Sequence, residues 1–138
     1  MTYKTWVVVE TMIKSSEGLR LKVYPDVKGI PTIGYGRNLR DVGIGEAIAE
    51  TLLNQDMWTA YSALRAYAWF EQLSETRQAA LFDMMFTLGA TRFAGFARLI
   101  KALEAGNYSA AAGEMESSEW NAEAPERVAR DARMMREG

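Results

Sequence analysis

The chain contains no cysteine and no histidine. The first absence excludes disulfides and thiolate metal sites. The second removes the usual general base, the usual metal ligand and every Ser-His or Cys-His nucleophile pair. No metal and no cofactor is expected. Acid–base chemistry near neutral pH falls to Asp and Glu, with Lys or Tyr as lesser candidates. Long apolar runs are missing too. The run Trp6 to Val9 ends at Glu10, whereas a secretory core needs ~7–15 apolar residues and a membrane span about 20. The expectation is synthesis in the cytoplasm without a signal peptide, no stable membrane insertion, and dependence on another agent for export. Neither charge sign dominates, with 16 Lys and Arg against 18 Asp and Glu. A net charge of −2 gives no long-range pull toward nucleic acid. Arg127, Arg130, Arg133 and Arg136 alternate with Glu126, Asp131 and Glu137, which reads as a solvated helix face.

What is present is ordinary globular material, 49% apolar and 25% charged over 138 residues. That length suits one domain with a real core. Tyr3 to Ser16 carries Trp6, Val9, Met12 and Ile13 at helical spacing, and Gly18 is a good helix stop. Glu17 then sits in or just past the last turn, where the helix dipole disfavours a negative charge. Leu19 to Tyr24 alternates as a strand, Pro25 to Gly29 is turn chemistry, and Ile30 to Gly36 reads as the return strand. Pro31 lacks an N–H, which argues for an edge position. Beyond Gly45 the pattern is helical. Ile48, Leu52, Leu53, Met57, Tyr61 and Leu64 repeat at spacings of three and four, a core stripe. Ala68 to Leu73 is a short helix or turn, Ser74 caps a helix to Leu88, Gly89 stops it and Thr91 caps the next. Gly106-Asn107 punctuates again, and Pro125 opens the last helix. The fold class is α+β, mostly α, with a small antiparallel β-hairpin lobe and a larger helical lobe.

The chemistry concentrates in Glu17 to Leu39, EGLRLKVYPDVKGIPTIGYGRNL. Two carboxylates flanking a bond are the minimum equipment for glycoside hydrolysis: one donates a proton to the leaving oxygen, the other activates water or stabilises developing charge. A strand, turn and return strand can bring Glu17, Asp26 and Thr32 to one side of the hairpin. Glu17 would need partial burial to hold its proton, while Asp26 on a turn stays ionised and Thr32 supplies a hydroxyl. The glycines at 29, 34 and 36 favour close approach of backbone. Spacing alone leaves a plainer alternative open, in which Asp26 caps its own turn.

The same stretch resembles the signature of the phage-type lysozymes, glycoside hydrolase family 24. Glu17, eight residues, Asp26, five residues and Thr32 reproduce the family's catalytic spacing. LLNQD at 52–56, FTLGATRFAGF at 86–96 and WNAEAPERVAR at 120–130 come next, in the family's order. The resemblance implies a lysozyme-like fold: a hairpin lobe at about 17–45, a helical lobe of 1–16 and 68–138, and a connecting helix at about 46–67. It implies a peptidoglycan muramidase that cuts the β-1,4 bond between N-acetylmuramic acid and N-acetylglucosamine with inversion. Glu17 would be the general acid, and Asp26 and Thr32 would position water. Arg127 matches an arginine that lies against the catalytic glutamate, Phe86 a cleft-lining residue, and Gly36 and Asn38 further cleft or supporting positions. A monomer acting on the wall after release through a holin-type pore is the family expectation.

Departures accompany the likeness. The segment between Asn38 and Leu52 is short, so the small lobe has lost part of a strand, loop or helix. Arg37 stands where the best-known family member has a histidine, and Asn38 where it has an apolar residue. The acidic balance forfeits electrostatic concentration on an anionic wall. Two other functions fit the same cleft: a catalytically idle wall-binding or structural module, and a lytic transglycosylase. The first needs none of Glu17, Asp26 and Thr32, and the second has no use for a held water.

Overall fold

Thr2 starts the first helix, its hydroxyl oxygen accepting from the Thr5 amide. Helix α1 (Tyr3–Glu17) ends where Gly18, at φ 69°, returns its amide to the Lys14 carbonyl. The glycine stop and the placing of Glu17 in the last turn are as the sequence reads. The computed structural model describes residues 1–138, in two units, Met1–Thr51 and Leu52–Gly138.

In the first unit, β1 (Arg20–Pro25), β2 (Pro31–Gly34) and β3 (Arg37–Asn38) form one antiparallel sheet in that order. Tyr24 lies opposite Thr32 and Pro25 opposite Pro31, with an irregularity between Arg20 and Tyr24. On its other side Thr32 faces Asn38. The hairpin read from the sequence thus gains a third strand of two residues, too short to leave a periodic signal. Pro31 consequently lies in the central strand, not at an edge. It is tolerated as that strand's first residue, contributing no amide while its carbonyl accepts from the Leu39 N–H.

Helix α2 (Glu46–Leu64) runs from the first unit into the second. Its apolar stripe is not core along its length: Ala60 and Leu64 are buried, but Ile48, Leu52, Leu53 and Met57 are exposed. The periodicity reports a face. Burial requires a partner, and the core reaches only the last turns of this helix.

In the second unit a short 3-10 turn (Phe70–Gln72) precedes α3 (Glu75–Ala94), which Ser74 caps through its hydroxyl oxygen to the Arg77 amide. Gly89, at φ 75° and ψ 163°, breaks α3 as foreseen. Thr91 caps no helix, because it lies inside the last stretch of α3, beyond the break. The next helix, α4 (Ala97–Glu104), begins after Phe96 with no side-chain cap. Asn107 caps α5 (Tyr108–Glu116), α6 (Glu119–Glu123) comes next, and Pro125 opens α7 (Pro125–Glu137). The core is built from Leu64, Phe70, Leu81, Met84, Phe93, Leu99, Leu103, Met115, Trp120, Val128 and Met135, all essentially inaccessible. Helix α7 packs on α3, α5 and α6. Burying each large side chain contributes on the order of 1.5–3 kcal/mol, so this unit carries the chain's hydrophobic stability.

Candidate active site

The stretch from Glu17 to Asn38 folds within the first unit, and its local chemistry is set by three turns. Helix α1 delivers Glu17 at its last position, at the carbonyl end of the helix. The side chain is exposed, so the partial burial expected for a proton-holding acid is not what this unit provides. Its carboxyl lies instead against the turn of Tyr35 and Gly36 that joins β2 to β3: a β-carbon on Gly36 would fall 2.6 Å from Glu17 Oε2. Three residues earlier on the same helix, Lys14 sits over the Tyr35 ring, 5.6 Å from its centroid.

Asp26 comes directly after β1. Its Oδ1 accepts from the Lys28 amide at 2.8 Å and from the Ile30 amide at 2.9 Å, and its own amide reaches the Ile30 carbonyl. The plainer alternative for Asp26 is therefore real: this carboxylate does cap its turn. One oxygen does the capping, and the pair of amides fixes where the other points. Across the ladder Thr32 is buried, 3% exposed, and its hydroxyl donates to the Ile30 carbonyl at 2.9 Å. Ile30 links the two, giving its amide to Asp26 and its carbonyl to Thr32. With its proton committed, the Thr32 oxygen is left as an acceptor.

Beyond Thr32, Asn38 and Arg37 close the next loop. Asn38 donates to Asp41 Oδ2 and accepts from the Asp41 amide, and Arg37 Nε donates to the Gly43 carbonyl. The Asp41 carboxyl is held below its ordinary value by the Arg40 guanidinium first and the Asn38 amide second.

The second unit holds Phe86 and Arg127, and both line a cavity of about 610 Å³ with Leu53, Met57, Tyr61 and Phe82. Leu53 and Met57 of the exposed α2 stripe thus border a cavity. The Arg127 guanidinium is taken up in a two-pronged pair with Asp83, Nη2 to Oδ1 at 2.7 Å. Arg130 Nη2 reaches the same carboxylate at 2.6 Å, and its Nε reaches Asp131 Oδ1 at 2.8 Å. Arg130, Arg133 and Arg136 are exposed, as a solvated face requires, but Asp131 is completely buried and does not belong to that face. Burial, then the neighbouring Asp83 carboxylate, pushes the Asp131 carboxyl up to about 7. Burial pushes the Asp83 carboxyl up as well, but hydrogen bonds from Arg127 and Asp131 outweigh it, and it falls below its ordinary value. Asp131 Oδ2 is buried without a hydrogen-bond partner, an environment that disfavours the charged carboxylate in the same sense as the burial that raises this group. Sequence reasoning passed over Asp83 and counted Asp131 as part of a solvated face. A signal existed, because Asp131 falls on the buried stripe Val128, Ala132, Met135 of α7.

The family model of the phage lysozymes matches residues 14–133. The chain belongs to the phage lysozyme family. It is 34% identical over 110 residues to an endolysin of Salmonella phage P22, covering 74% of each chain. It is 26% identical over 149 residues to the probable T4-type lysozyme 1 of Dictyostelium discoideum, covering 86% of this chain and 88% of that one. To the SAR-endolysin of Bacteriophage PS119 it is 35% identical over 81 residues, 56% of this chain and 48% of the other. As a phage lysozyme the chain is a glycoside hydrolase with peptidoglycan as its substrate class. The mostly helical α+β architecture with a small antiparallel sheet agrees with a lysozyme-like fold. No helix is long and apolar enough to cross a membrane.

Proposed function

We propose that this phage lysozyme hydrolyses the β-1,4 bond between N-acetylmuramic acid and N-acetylglucosamine with inversion, Glu17 acting as general acid and Asp26 with Thr32 holding the attacking water. The observation that carries this reading is the shared anchoring of Asp26 and Thr32 on Ile30. A water that donates one hydrogen to the outer Asp26 oxygen and the other to the Thr32 oxygen turns its lone pair outward, toward the anomeric carbon. Asp26 then accepts the proton released as the new C–O bond forms. Glu17, at the last position of α1, gives its proton to the departing oxygen. Inverting enzymes keep the two carboxyls about 6.5–9.5 Å apart to leave room for such a water. The enzyme acts on the wall after release through a holin-type pore and works as a monomer.

The test is digestion of purified peptidoglycan in ¹⁸O-labelled water, with Glu17→Gln beside the parent. Hydrolysis places the label at the new reducing end, and proton NMR of early product shows the α-anomer. Unlabelled anhydro-sugar ends would replace this mechanism with transglycosylation. Full clearing by Glu17→Gln would remove Glu17 from the acid role, and wall binding without cleavage by the parent would make the chain an idle module.

A further inference from the structure

The turn of Tyr35 and Gly36 meets α1 at two points one helical turn apart, Lys14 over the Tyr35 ring and Glu17 against Gly36. The second contact is closer than any side chain permits. A β-carbon built on Gly36 would lie 2.6 Å from Glu17 Oε2, 2.9 Å from its carboxyl carbon and 3.5 Å from Cγ. Two residues earlier Gly34 has nearly the same left-handed backbone, φ 68° against 75°, yet open space surrounds its missing β-carbon. Backbone freedom therefore accounts for a glycine at both positions, and it leaves the closeness at Gly36 unexplained.

We propose that Gly36 is a positioning residue for the catalytic acid: the space left by its absent side chain is the seat of the Glu17 carboxyl. The proposal rests on the reading of Glu17 as general acid. The atoms in conflict are the free end of a long side chain, so a β-carbon at position 36 pushes the carboxyl aside by about 1 Å and the fold survives. Catalysis does not tolerate such a shift, because a misplacement of about 1 Å costs on the order of 10²-fold in rate.

The experiment compares the parent with Glu17→Gln, Glu17→Asp, Gly34→Ala, Gly36→Ala and the Glu17→Asp/Gly36→Ala double variant, by kcat and KM on soluble peptidoglycan and by thermal unfolding. Gly34→Ala and Gly36→Ala lose similar stability, since both impose a β-carbon on a left-handed residue. Only Gly36→Ala loses about 10²-fold in kcat with little change in KM, while Gly34→Ala stays within about threefold. The shorter acid of Glu17→Asp relieves the crowding, so the double variant is more active than the product of the two single losses, the non-additivity of a direct contact. Should Gly36→Ala fail to fold, Gly36→Asn carries the same β-carbon on a residue that accepts left-handed backbone. Equal kcat for the Gly34 and Gly36 variants, or losses that simply multiply, overturns the proposal while leaving Glu17 as the acid. An active Glu17→Gln overturns the acid reading itself.

Discussion

The carboxylate pair on α3 and α7 makes the stability of the helical unit depend on pH in an unusual direction. Asp131 is raised from 3.8 to about 7 by burial and by Asp83 beside it. In the unfolded chain it ionises near its ordinary value, so between about pH 4 and pH 7 the folded protein holds a proton that the unfolded chain has lost. A carboxyl raised on folding stabilises fully below its unfolded pKa, and that contribution disappears as pH climbs through the folded one. A shift of about three units at ~1.4 kcal/mol each gives a loss of roughly 4 kcal/mol across that window. Asp83 moves the other way, so its contribution is complete above its ordinary value and is lost only in stronger acid. Asp131→Asn isolates the effect. The amide still accepts from Arg130 and can donate to Asp83, but it does not titrate. Urea unfolding monitored by far-UV circular dichroism, at steps from about pH 4 to pH 8, should show variant and parent equal in stability at the acid end. The variant should then gain up to about 4 kcal/mol over the parent by neutral pH, at unchanged m. A difference independent of pH, or one favouring the parent as pH rises, would refute the assignment of the proton to Asp131.

Asp26→Asn retains an oxygen for the Lys28 and Ile30 amides, so it should cost under ~1 kcal/mol in thermal unfolding while lowering kcat by at least about 10²-fold; parallel losses would mean that the turn cap is its whole role. Thr32→Val removes both the buried bond to the Ile30 carbonyl and the water acceptor, and should cost about 1–3 kcal/mol with a larger fall in kcat than Thr32→Ser, measured by denaturation and by release of reducing ends. Trp120→Ala empties the centre of the helical core and should destabilise by about 3–5 kcal/mol with the sheet's amide-exchange protection unchanged. Ser74→Ala removes the α3 cap, an expected loss of about 1 kcal/mol in the same denaturation assay.

What was legible in the chain tracks how local each signal is. The cap at Ser74, the helix stop at Gly18, the break at Gly89 and the punctuation at Gly106-Asn107 are decided by one or two residues, and each formed where the pattern puts it. The two-residue strand Arg37–Asn38 escapes because it exists only by pairing with Thr32 and Ile33, a partner no periodicity can announce. The α2 stripe shows the converse error. Amphipathicity specifies a face, but Leu53 and Met57 border a cavity where the pattern alone suggests a core.

The carboxylates divide along the same line. Glu17, Asp26 and Thr32 stood out because turn chemistry and family spacing both act at short range. Asp83 lies 44 and 47 residues from its arginine partners on α7 and drew no reading at all, while Asp131 read as part of a solvated face. In a helix of alternating arginines and acids, the sign of each residue predicts solvation, yet position on the buried stripe overrides it for Asp131. Asp26 carries the more general lesson, because its two readings do not compete. A carboxylate whose one oxygen is fixed by two amides is pre-aimed with the other, so the turn cap that serves as the plain explanation is also what a water-holding base requires. Structural and catalytic demands on that residue are met by different oxygens of one group, which is why an amide at position 26 should separate them.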